Sequence, residues 1–158
     1  MKLVKMKLAD GKTYTFSTFT LLEQKVMKKE HGRYEDLQEE MEKIRFQTDK
    51  DGNLIKDDMK DVILRENLTK EQKVRLQEIE DEIFDFMIDV LRKSVARNHP
   101  EFKKQEDPNK EKEIRETLMG LIDTSDLKKI TNFAFTGTYL TDEKYIIDLT
   151  EDEEGEKK

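Results

Sequence analysis

The segment from Thr69 to about Asn98 does most to restrict what this chain can fold into. Thr69 with Gln72 three residues later has the form of a helix-capping box, and Pro100 closes the far end. Between them Leu76, Ile79 and Ile83 recur at helical spacing. From Ile83 to Leu91 the pattern thickens: Phe84, Phe86, Met87, Ile88 and Val90 leave only Asp85 and Asp89 as interruptions. A helix that is apolar around most of its circumference is contacted on several sides. The rest of the fold is therefore expected to gather around this helix.

The other elements are read from the same periodicities. In residues 3–16, Val4, Met6 and Leu8 alternate with lysines, and Tyr14 and Phe16 alternate with threonines, around Ala9-Asp10-Gly11. A two-residue loop would place Lys7 opposite Tyr14 and split the apolar face. A three-residue loop with Gly11 left-handed pairs Met6 with Tyr14 and Val4 with Phe16. Thr20 with Glu23 is a second capping box, and Gly32 predicts a stop for a helix near 21–31. Tyr34, Leu37, Met41 and Ile44 predict a further amphipathic helix. Met59, Val62 and Ile63 suggest a short one over 54–67. After a polar linker at 99–109, a helix is expected near 110–122 through Ile114, Leu118, Leu121 and Ile122. Another, capped by Ser125, is expected near 126–136 and ends at Gly137. The expected fold is mainly α: a helical bundle with an N-terminal β-hairpin (3–16). It forms a single domain over 1–149, followed by a disordered acidic tail at 150–158.

Composition excludes several classes of function. Of 158 residues, 42% are charged and 34% apolar, where roughly 25% and 45–50% are usual. No run approaches a membrane span, and the lysine-bearing start has no signal-peptide core. With no cysteine and only His31 and His99, thiolate chemistry and histidine-rich metal sites are excluded. A net charge of −7 with an acidic end argues against binding a phosphate backbone. The hairpin lysines read as protection of an exposed strand edge.

Three motifs invite a site. Asp49-Lys50-Asp51-Gly52-Asn53 copies the start of a calcium loop, but the glycine is displaced and Lys60 stands where the bidentate Glu belongs. It reads as a polar turn or hairpin tip. Asp81, Asp85 and Asp89, with Glu78 and Glu82, line one helix face. With Glu39 and Glu42 they suggest a magnesium-dependent all-α nucleotide pyrophosphohydrolase. No phosphate-binding constellation accompanies them, so the stripe reads as a solvated face, with Arg92 pairing to Asp89 or Asp85. His31 and His99 read as surface caps. No catalytic residue, metal ligand or cofactor site is assigned. The remaining signal is apolar: Phe133, Phe135, Tyr139, Tyr145, Ile146 and Ile147 cluster before the acidic tail and are the candidate partner-binding residues. Phe133 and Phe135, two apart on a helix, do not share a face.

The stretch Lys7-Leu8-Ala9-Asp10-Gly11-Lys12-Thr13-Tyr14-Thr15-Phe16, followed by charged helices and an acidic end, resembles the tail assembly chaperones of long-tailed (siphovirus-type) bacteriophages of Gram-positive hosts. The resemblance implies a non-enzymatic protein that binds and solubilises the tape measure protein during tail morphogenesis. It implies action in the host cytoplasm and absence from the mature virion. It also implies a longer, frameshifted product that recruits tail-tube protein, and the adenine-rich codons open to Glu156-Lys157-Lys158 suit such a slip. The same apolar surfaces allow self-association, or a permanent role as a small helical scaffold or adaptor. Neither nucleic acid nor membrane is expected as a partner.

Overall fold

A computed structural model describes residues 1–137 and the residue pair 148–149. In chain order its elements are β1 (Leu3–Lys7), β2 (Thr13–Ser17), α1 (Leu21–Val26), α2 (Lys28–Arg45), α3 (Lys70–Ala96), α4 (Pro108–Leu121), α5 (Thr124–Thr136) and β3 (Asp148–Leu149). The protein is mainly α with an N-terminal hairpin, as its periodicities require. Its contacts group into two compact units, Met1–Val26 with Met87–Lys158, and Met27–Phe86. The tail at 150–158 lies outside the described residues.

The first unit is built on the hairpin. Val4 pairs with Phe16 and Met6 with Tyr14, the register that keeps the apolar residues on one face. Gly11 supplies the left-handed residue of the three-residue loop, at φ 80°. Leu8 N–H bonds the Lys12 carbonyl at 3.0 Å, closing the turn. β3 adds antiparallel to β1, Leu3 opposite Leu149 and Val4 opposite Asp148, giving the order β2-β1-β3. Two strands cannot stand alone in water. Here Val4, Met6, Tyr14 and Phe16 are buried, together with Ile88, Val90, Leu91 and Val95 of α3, Leu118 of α4, and Leu127, Ile130 and Phe133 of α5. Each such side chain contributes roughly 1.5–3 kcal/mol on burial. Backbone bonds join the pieces: Phe19 N–H to the Ala134 carbonyl at 2.8 Å and Ala9 N–H to the Leu121 carbonyl at 3.2 Å. Arg92 is also buried. It donates to the Phe102 carbonyl at 2.8 Å and grips both carboxylate oxygens of Glu111. Asp89 is paired instead with Arg115. Arg92 follows Asp85 and Asp89 along the same side of α3, but it is covered where they are exposed, and the Phe102 carbonyl and Glu111 take up its guanidinium instead.

The second unit carries much less buried apolar material. Met27, Leu37, Ile79, Ile83 and Phe86 are its buried hydrophobic side chains, with Tyr34 stacked on Phe86 at 4.8 Å. Three arginine–carboxylate pairs join α2 to α3: Arg33–Glu82 at 3.2 Å, Arg45–Glu80, and a bidentate Arg75–Glu40 pair at 2.6 and 2.8 Å. The Arg75 guanidinium holds the Glu40 carboxyl below its usual range.

Between these helices the chain departs from the sequence reading. Residues 54–67 form no helix. Three short extended segments pair as Phe46 with Leu64, Thr48 with Leu54, and Lys56 with Val62. Gln47, Ile55 and Ile63 close a ring: Gln47 N–H donates to the Ile63 carbonyl, Ile63 to Ile55, and Ile55 to Gln47. Two matching five-residue turns link the segments. In each, an aspartate Oδ1 accepts from the amides two and four residues on, Asp49 from Asp51 and Asn53, and Asp57 from Met59 and Asp61. The fourth residue of each turn is left-handed, Gly52 at φ 84° and Lys60 at φ 64°.

Two boundaries also shift. Gly32 does not stop a helix but lies within α2, and the break falls at Met27. An interior glycine costs about 1 kcal/mol relative to alanine, less than the burial of Leu37 and stacking of Tyr34 return. His31 consequently stands in the first turn of α2 rather than at a helix end, with Nδ1 3.6 Å from Glu35. α5 is capped by Asp123, which accepts from the Asp126 amide at 2.8 Å, two residues earlier than the expected Ser125. Gly137 ends it in the left-handed conformation, at φ 66°.

Candidate functional site

The residues best placed to meet another molecule are on α1, in the first unit. Thr20 and Glu23 form the reciprocal capping box, at 2.9 and 3.1 Å. Glu23 also binds Arg97, and the Gln24 side-chain amide donates to the Phe19 carbonyl at 3.3 Å. Burial pushes the Glu23 carboxyl up, but the Thr20 amide and the Arg97 guanidinium outweigh it and hold it below the usual range. Glu23 and Gln24 are therefore the residues of α1 turned inward. Leu21, Leu22 and Val26 are 86, 70 and 63% exposed, and the helix buries no residue at all. This inverts the usual arrangement, in which the apolar stripe faces the protein.

Beside α1 lies an open groove of about 440 Å³ whose walls include Met1, Phe19, Leu21, Gln24 and Phe135. Phe135 is half-buried, its ring edge-on to Phe19 at 5.0 Å. Phe133, on the other side of α5, is only 2% exposed. That side chain is core material and presents no surface to a partner, because two positions along a helix are about 200° apart and put it nearly opposite Phe135. Tyr139, Tyr145, Ile146 and Ile147 lie outside the described residues. The α1 face was not legible as a site, since the sequence around it reads only as a capped helix near 21–31. The one available signal was that Glu23 was already committed to the capping box, which fixes which side of α1 turns inward.

The acidic stripe is occupied by ordinary partners. Asp81 accepts from Gln77 at 2.9 Å, Glu82 from Arg33 and Asp89 from Arg115, while Glu39 pairs with Lys43 at 3.1 Å. Among the described residues, no three His, Asp or Glu side chains are grouped to hold a metal ion. The calcium-like segment is a hairpin tip, Asp49 N–H bonding the Asn53 carbonyl at 2.8 Å. No described helix is long and apolar enough to cross a membrane.

Comparison with protein-family models, with curated proteins and with solved structures finds no match to this chain.

Proposed function

We propose that this protein is a tail assembly chaperone of the kind used by long-tailed bacteriophages of Gram-positive hosts. On this reading it holds the tape measure protein in solution while the tail is built, catalyses nothing, and leaves before the virion matures. The observation that carries the reading is the outward apolar face of α1, Leu21, Leu22 and Val26, on a chain whose remaining surface is densely charged. A face of this kind lends an apolar surface to a helical client while the charged exterior keeps the pair soluble. The hairpin, whose sequence carries the resemblance, has the register that its pattern demands.

The test is co-expression with a candidate tape measure protein, the product of a very long helix-rich reading frame beside this gene. The chaperone reading expects the client to be soluble only in the presence of this chain. Leu22→Asp with Val26→Asp should abolish that effect without lowering this protein's own thermal stability, since neither side chain is buried. A client equally insoluble with and without the chain sinks the reading. A complex that persists into purified particles replaces it with the permanent scaffold or adaptor.

A further inference from the structure

We propose that His99 is an acid-sensitive latch on the outer edge of β2. This goes beyond the chaperone reading and does not depend on it. β2 ends the order β2-β1-β3, so among the described residues its outer edge presents backbone groups to no further strand of the sheet. Two side chains from the end of α3 and just past it take the place of that strand. Ser94 accepts from the Ser17 amide at 3.1 Å and donates to the Ser17 carbonyl at 2.7 Å, as a paired strand would. His99 accepts from the Thr15 amide through Nε2, at 2.9 Å.

The two guards differ in chemistry. A ring nitrogen that accepts must be unprotonated, so this bond exists only with neutral imidazole carrying its proton on Nδ1. Nδ1 lies 4.0 Å from the Glu101 carboxylate. When the ring takes a second proton, Nε2–H meets Thr15 N–H head to head, and the new charge is drawn toward Glu101. The ring has one partner in each state, which makes the arrangement a switch rather than a weak contact.

The charged and titratable groups around it come from every neighbouring element. The hairpin brings Tyr14, whose ring lies 5.1 Å from the imidazole, and Asp10, which accepts from the Tyr14 hydroxyl at 2.6 Å. The single 3-10 turn Pro100–Phe102 brings Glu101. Beyond the Phe102 carbonyl stand Arg92 of α3 and Glu111 of α4, paired with each other. The hydrogen bond from Tyr14 holds the Asp10 carboxyl below its usual range, and Asp10 in turn pushes the Tyr14 phenol up to about 12. Neither exchanges a proton in the range where a histidine does, roughly pH 5 to 8. Ser94 does not titrate, so acid releases β2 at Thr15 and leaves Ser17 held. An unpaired amide on a strand edge is a place where a further strand can add.

Nitrogen-15 NMR and amide exchange on the full chain test this. At about pH 7.5, Nε2 should be unprotonated and Nδ1 protonated. Protection of Thr15 relative to Ser17, corrected for intrinsic exchange, should fall about tenfold or more by about pH 5.5. His99→Gln supplies an amide oxygen in place of Nε2 and does not titrate, so the ratio should become independent of pH. A protonated Nε2 at neutral pH overturns the proposal, as does an unchanged ratio once the ring is charged, or a fall that persists in H99Q. If H99Q does not fold, the two wild-type measurements decide.

Discussion

The two units solve the shortage of apolar residues differently. Met1–Val26 with Met87–Lys158 concentrates its apolar side chains: Phe16, Ile88, Val90, Leu91, Val95, Ile130 and Ala134 are all fully buried. Its Arg92–Glu111 pair is drawn almost entirely inside. Met27–Phe86 has only Leu37 and Ile79 buried to that degree, and its ion pairs remain in reach of water, the Arg75 and Glu40 side chains being 34 and 40% exposed. The first unit is held by a dense apolar core; the second has a thinner one and adds ion pairs at its surface, each of which contributes little. In a chain that is 42% charged, both devices are needed, and they should fail under different stresses.

Core truncation separates the units most strongly. Phe16→Ala should cost about 4 kcal/mol, and Phe46→Ala, at a half-buried position of the second unit, about half as much. Chemical denaturation of both variants, followed by amide exchange in each unit, checks this, and equal losses break the comparison. Removing one partner of the enclosed ion pair comes next. Glu111→Gln should destabilise by about 3 kcal/mol, because Arg92 keeps a buried charge without its counter-charge. The pH dependence has the same origin. The hydrogen bonds from Arg92 hold the Glu111 carboxyl below its usual range in the folded state. Its contribution is therefore complete above the ordinary carboxylate range and is lost as pH falls through the lowered folded value. In Glu111→Gln that part of the acid limb should disappear.

Arg75→Ala should cost much less than either, since an exposed pair is screened. Raising salt from about 0.05 to 1 M should slightly weaken protection in the second unit while leaving the first nearly unchanged; the reverse order would break the comparison. The smallest effect expected is a gain. Lys60→Gly removes the strain of a left-handed non-glycine residue, worth about 0.5–1 kcal/mol. Denaturant midpoints for this variant and for Gly52→Ala should move in opposite directions.

The pattern of what the sequence disclosed follows from where information is local. The hairpin register was legible because Val4, Met6, Tyr14 and Phe16 fit one face in one register only. Both threonine capping boxes were legible because their bonds span three residues. The segment 46–65 was not, because Met59, Val62 and Ile63 happen to share helical spacing. Its true signal was two aspartates eight apart, Asp49 and Asp57, each opening the same turn. The glycine that advertises the first turn is Lys60 in the second, so the repeat lost its most visible mark. Gly32 misled for the opposite reason: it is a stop residue locally, overruled by Leu37 and Tyr34 packing several residues away. The outward face of α1 was hidden because apolar spacing tells that a helix has two sides without telling which one meets solvent.

The closed ring at Gln47, Ile55 and Ile63 has a topological consequence. Each of the three residues gives one backbone bond and receives one, so the order of the segments along the chain is invisible to the bonds themselves. A nick in either turn, at Lys50–Asp51 or Met59–Lys60, interrupts the polypeptide without removing any member of the ring. The three segments are in this sense interchangeable in connectivity, and a chain re-entered at one of those turns, with new ends there, would still have every partner that it needs to close.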